Sequence, residues 1–156
     1  MSDSEQSAPD ISSGAVLWEG ASALNGFPIV AIVTGFKGAR SRNGKTGPML
    51  QTWILARNVS PNRAIELGLD RSVCGNCPHR GIVKRIDGTW RNRERTCYVN
   101  VGQAPSNIWR KYREGKYPAW DPLAHSHNLR GERVRFGAYG DPCAVPFSVW
   151  SQLRHG

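Results

Sequence analysis

The chain has 156 residues and a mass of 17.3 kDa, with 21 Lys and Arg against 12 Asp and Glu, a formal net charge of +9 and a pI near 10.0. An apolar fraction of 39% with six Trp is enough to bury a core, which excludes a wholly disordered or collagen-like chain, and the length suits one domain. The longest apolar stretch, residues 28–33, is far short of the ~20 residues of a membrane helix, and the N-terminus is acidic where a signal peptide is basic, so a soluble, unsecreted protein without a membrane partner is expected.

Charge is unevenly placed. Residues 1–36 carry Asp3, Glu5, Asp10 and Glu19 and no Lys or Arg, which leaves 21 bases against 8 acids, or +13, on the other 120 residues. Sixteen of the bases are Arg, whose planar guanidinium forks onto phosphates and stacks on bases. The bias points to an anionic partner, nucleic acid first, beside the plain alternative of a solvated basic surface.

Residues 1–13 are polar and acidic and read as a disordered tail ahead of one domain over 14–156. The β-branched run Pro28–Thr34, between Gly26 and Gly35, reads as a buried strand. A second strand over 49–56 follows a loop rich in Gly and bases, making a long-looped hairpin. Ser60 as N-cap, Pro61 in the first turn and Gly68 as stop bound a short helix, Pro61–Leu67. Ile82–Ile86 and Thr89–Arg93 flank Asp87-Gly88, a strong two-residue hairpin signal, and the return strand is expected to run on through 97–101. Ser106 caps a helix predicted over 107–114, with Ile108, Trp109 and Tyr112 on one face; a strand over 133–139 and an amphipathic helix over 146–153 complete the chain. The predicted class is α+β: a small single domain of short antiparallel strands with three short helices and a zinc-knuckle β-ribbon.

Cys74-Gly75-Asn76-Cys77 is a C-x2-C turn followed by Pro78 and a ribbon, a context for metal rather than for a thioredoxin-like helix. A two-residue loop at Asp87-Gly88 pairs Ile86 with Thr89 and Arg85 with Trp90, and carries Cys97 opposite Pro78, beside Cys77. Tetrahedral Zn on Cys74, Cys77 and Cys97, with His79 or else Cys143 as fourth ligand, is the first reading, and its role is structural. An iron–sulfur cluster, or metal-free thiols and a disulfide, are the alternatives.

The same register sorts the ribbon's faces. One carries Arg80, Ile82, Lys84 and Ile86 opposite Arg95, Arg93, Arg91 and Thr89; the other carries Val83 and Arg85 opposite Asn92 and Trp90. Like charges directly opposed are a cost that an anionic ligand relieves, unless acids from elsewhere in the fold neutralise the face. Trp90 beside Arg85 offers a stacking surface for bases, and Lys37, Arg40, Arg42 and Lys45 make a basic loop that can touch phosphates. That loop resembles a relaxed phosphate-binding P-loop over 39–46, but Gly47-Pro48 stands where the helix should open. His125-Ser126-His127-Asn128, with Asp141, is the set on which a metal-dependent nuclease would be built; surface histidines and a tight glycine turn are the plainer explanation.

Three blocks then stand together: Ser72-Val-Cys-Gly-Asn-Cys-Pro-His-Arg80, Thr96-Cys-Tyr-Val-Asn-Val-Gly-Gln103 and Arg135-Phe-Gly-Ala-Tyr-Gly-Asp-Pro-Cys-Ala-Val-Pro146. From about Val16 onward the chain resembles an uncharacterised family of tailed-phage and prophage proteins. The resemblance implies a phage setting, hence the cytoplasm of a bacterial host, and an internal metal knuckle, and it implies no mechanism. Three functions follow as expectations: nucleic-acid binding (DNA or RNA) through the ribbon and the basic loop; an anti-CRISPR-like inhibitor that docks on a host nucleoprotein complex; and the nuclease.

Overall fold

The computed structural model describes residues 7–36, 44 and 47–154. Among the described residues there are six strands, Ala15–Ala21 (β1), Pro28–Thr34 (β2), Leu50–Ala56 (β3), Ile82–Ile86 (β4), Thr89–Arg93 (β5) and Val134–Tyr139 (β6), five α-helical segments, Pro61–Leu67 (α1), Arg71–Cys74 (α2), Ala104–Arg113 (α3), Pro122–His125 (α4) and Phe147–Ser151 (α5), and three short 3-10 turns, Pro78–Arg80, Ser126–Leu129 and Pro142–Ala144. The class is α+β. None of the described helices is long and apolar enough to cross a membrane.

The β-branched run decides where the main sheet goes. Ile29 through Val33 of β2 are all 0% exposed, and since side chains alternate across a strand, both faces of β2 are covered. The sheet order is β1-β2-β3-β6, with β2 antiparallel to both neighbours and β6 parallel to β3, so the all-antiparallel expectation is corrected at this last strand. The β3–β6 register slips near Thr52, and this fully buried residue repairs it: its Oγ1 accepts from Gly137 N at 2.8 Å and donates to the Arg135 carbonyl at 3.2 Å. The free edge of β1 is covered by residues 118–120, through Val16 N to the Pro118 carbonyl and Trp120 N to the Val16 carbonyl, both 2.8 Å.

Turn chemistry placed several elements where the sequence predicts them. Helix α1 spans Pro61–Leu67, with Gly68 at φ 74° closing it onto the Ala64 and Ile65 carbonyls. Ribbon β4–β5 turns through Asp87 and Gly88, at φ 50° and 77°, the two positive values that a tight hairpin demands.

Other expectations are corrected. Strand β1 went unforeseen because a register shift between Val16 and Trp18 breaks its alternation. No strand forms over 97–101, since Glu94 at φ 61° turns the chain off the ladder and the amides of Thr96 and Cys97 both bond to the His79 carbonyl. Helix α3 starts earlier than predicted, with Pro105 in its first turn, so Ser106 lies inside it and bonds back to the Val101 carbonyl. Helix α5 is shorter than predicted, and α2 and α4 are additional single turns. Ile11 is 4% exposed within the core, so packing reaches back past the expected boundary at residue 14.

One glycine ties β6 to the core. Gly140 sits at φ 88°, and a Cβ there would lie 2.7 Å from Ile54 Cβ. Gly140→Ala is expected to destabilise the protein by about 2–3 kcal/mol, from the left-handed backbone and the overlap together, as measured by urea unfolding.

Candidate nucleic-acid interface

The ribbon packs on α1 by one face only. Asn92 Nδ2 donates to the Ile65 and Arg80 carbonyls at 3.3 and 3.0 Å, and a Cβ on Gly68 would meet Val83 at 3.3 Å, so the face carrying Val83 and Asn92 lies inward. The opposite face looks outward. It sets Lys84 directly across from Arg91 and Ile82 across from Arg93, all four exposed. One pair back from the turn, on the same face as Val83 and Asn92, Arg85 pairs with Trp90, which is nevertheless 46% exposed. Among the described residues no carboxylate forms an ion pair with Lys84, Arg85, Arg91 or Arg93. The basic loop residues Lys37, Arg40, Arg42 and Lys45 lie outside the described residues.

Arg80 and Arg95, expected across from each other on the outward face, are turned inward instead. Positive φ at Gly81 (86°) and Glu94 (61°) breaks the two-residue alternation at each end of the ladder, and both guanidiniums swing toward Asp70. Asp70 is 0% exposed; Arg80 Nη2 reaches its Oδ1 at 2.7 Å, and Arg95 Nη1 stands 3.8 Å from its Oδ2. Arg80 also donates to the Gly75 and Gly68 carbonyls, each at 3.1 Å, and its bond to Asp70 raises its pKa further. It therefore acts as a clamp across the α1–α2 corner rather than as a surface base. Asp70 is the residue that reading the chain missed. Its one signal is position: a lone acid between the Gly68 stop and the next helical turn, where a side chain is carried into the core.

Cys74 borders this cluster. Burial, then the neighbouring charges of Asp70, Cys97 and Cys77, push the Cys74 thiol up to about 12, with Arg95 opposing them. The Tyr139 phenol is buried, its pKa raised by burial first and the charge of Cys74 second. Cys97 lies beside the His79 carbonyl rather than across from Pro78, because the ladder ends before it. His79 is exposed, with Nδ1 2.8 Å from Thr96 Oγ1. Cys143 is exposed on the turn Pro142–Ala144, its thiol pKa raised by a hydrogen bond with Asp141. Among the described residues no three His, Cys, Asp or Glu side chains are gathered as a metal ion needs.

The nuclease set is not assembled. His125 is 2% exposed; its Nδ1 accepts from the Asp121 amide at 3.0 Å, so the proton sits on Nε2 and is donated to the Pro9 carbonyl at 3.2 Å. Both nitrogens are occupied in holding α4 against residues 8–12. His127 is exposed nearby, whereas Asp141 accepts from the Cys143 amide in the turn after β6 and is absent from the cavity that the two histidines line.

No family model, curated protein or solved structure matches the chain, so the functional reading rests on this geometry.

Proposed function

We propose that the protein binds nucleic acid through the outward face of the β4–β5 ribbon. The observation that carries this reading is Lys84 directly opposite Arg91, with Arg93 further along the same face and no carboxylate paired to any of them among the described residues. Opposed like charges cost a ribbon a few tenths to ~1 kcal/mol, and a phosphodiester backbone laid along the face removes that cost. Trp90, paired with Arg85 on the other face of the ribbon but still half-exposed one pair from the turn, adds a ring on which an unpaired base can stack where a strand passes round the turn end. The loop with Lys37, Arg40, Arg42 and Lys45 joins the proposal on its charge alone. The test is equilibrium binding of single- and double-stranded DNA and RNA oligonucleotides at salt concentrations between about 50 and 200 mM. A steep fall of affinity with salt is expected; no binding to any of the four overturns the reading and favours an acidic protein as partner.

Zinc on Cys74, Cys77 and Cys97 is the companion proposal, and its role is to staple the ribbon's base to α2. The C-x2-C turn closed by the Cys77 amide on the Cys74 carbonyl at 3.2 Å supports it, as does the Cys97 amide bonded at 3.1 Å to the carbonyl of His79, two residues beyond Cys77, and His79, with its Nδ1 beside Thr96, is the candidate fourth ligand. Protein purified without chelator is expected to hold about one Zn per chain without a visible absorption band, and to lose thermal stability on chelation. A metal-free protein indifferent to chelators rules the site out, and a brown protein assigns it to iron and sulfur.

A further inference from the structure

The buried ion cluster is unbalanced: one carboxylate, Asp70, serves two guanidiniums. Arg80 bonds Asp70 at 2.7 Å and two carbonyls at 3.1 Å through its two terminal nitrogens, and of its nitrogens only Nε, like Asp70 Oδ2, is buried without a hydrogen-bond partner among the described residues. Arg95 is held less closely. Its side chain is only 17% exposed, yet Nη1 comes no nearer than 3.8 Å to Asp70, and Nη2 is buried with no hydrogen-bond partner among the described residues. A buried guanidinium N–H without an acceptor is rare in a folded protein and marks a place where a ligand, an ion or a water belongs.

The surroundings of Arg95 define the chemistry. It lines a groove of about 470 Å³ between β5 and α1, together with Arg91, Arg93, Asn62, Ile65 and Glu66. The one carboxylate in that wall, Glu66, is taken by Arg63 at 3.0 Å. Three guanidiniums at successive odd positions therefore meet in one concavity. Arg95, largely buried, and Arg91 and Arg93, both exposed, all line it, a set suited to a tetrahedral oxyanion, which accepts from several N–H forks at once.

We infer that this groove seats one phosphate group. In the setting of the proposed function, on which this choice of ligand source rests, it is a phosphate of a nucleic-acid strand that leaves the outward face of the ribbon over the edge of β5. Arg95 contacts the anion directly, whereas Arg80 holds the corner of the fold.

The probe is inorganic phosphate, followed by thermal unfolding of the full chain at constant ionic strength against chloride. At a phosphate concentration ten times its Kd, the native protein is expected to gain about 3–6 °C in Tm beyond the gain shown by Arg95→Gln. Comparison with that variant removes the general stabilisation that phosphate gives any protein. Should Arg95→Gln fold poorly, Arg91→Ala with Arg93→Ala, both exposed, makes the same comparison. Equal gains in native protein and that double variant overturn the inference and leave the groove to water. In oligonucleotide binding, Arg95→Gln is expected to flatten the salt dependence by about one phosphate's worth. If oligonucleotides bind and that slope is unchanged, the groove inference fails while the ribbon reading stands. If phosphate is bound through Arg95 but no oligonucleotide is, the ribbon reading fails and the groove belongs to a small phosphorylated ligand.

Discussion

Asp70→Ala is expected to lower the stability of this protein by about 3–5 kcal/mol, the usual result of removing one partner from a buried ion pair. The carboxylate is fully buried, and its loss leaves Arg80 and Arg95 facing each other with no negative charge between them. Arg80 keeps its bonds to the Gly68 and Gly75 carbonyls, so the corner between α1 and α2 does not dissolve; the cost lies in the uncompensated charge. Denaturant unfolding should show the midpoint falling with an unchanged slope. Pairing Asp70→Ala with Arg80→Met should recover part of the loss, because an apolar side chain needs no counter-ion there. A drop under 1 kcal/mol in the single variant would mean that the guanidiniums find water or another anion in place of Asp70.

Reversing the outward face, with Lys84→Glu, Arg91→Glu and Arg93→Glu together, should reduce oligonucleotide affinity at least 100-fold near 0.1 M salt, while stability changes by less than about 1 kcal/mol. If Lys84 meets one phosphate and Arg91 and Arg93 together one or two more, the slope of log affinity against log salt falls by roughly 1.4–2.7, following ~0.7 per phosphate for single strands and ~0.9 for duplex DNA. All three residues are exposed and none is ion-paired among the described residues, so folding gives no reason for a loss. An unchanged affinity in a well-folded triple variant would move the binding surface off the ribbon.

These two variants divide the bases of one hairpin into two kinds, and the division shows where reading the chain stops. The pairing of Lys84 with Arg91 and Arg85 with Trp90 was legible, because Asp87-Gly88 sets the turn and a two-residue turn sets every pair beyond it. The same count, carried on, put Arg80 across from Arg95 on the solvent side. It failed there because it assumes a flat ladder, and Gly81 and Glu94 both take positive φ. Only glycine can do so where Gly81 stands: a Cβ there would lie 2.3 Å from Asn92 Oδ1 and 2.5 Å from the Arg93 carbonyl. That crowding comes from the partner strand and has no trace in the residues around Gly81. His125 failed in a related way. As one of two closely spaced histidines it reads as a surface loop residue or, failing that, as part of a nuclease site, but it is 2% exposed, and the Asp121 amide and the Pro9 carbonyl, the latter 116 residues away in the chain, occupy its nitrogens.

The sequence by itself determined the elements whose cause is local: the β-branched run that became the covered strand β2, the helix between Pro61 and Gly68, and the tight ribbon with its exposed bases. In each, backbone sterics or side-chain period acts over a few residues, and those forces are written in neighbouring letters. Only the tertiary structure decided that β6 enters the sheet parallel to β3, that Ile11 belongs to the core, and that Asp70 claims Arg80 and leaves Arg95 half-paired. Those outcomes depend on burial, and burial sums contacts from the whole chain: an acid that is worth little on a surface becomes, at 0% exposure, the group around which two arginines must turn.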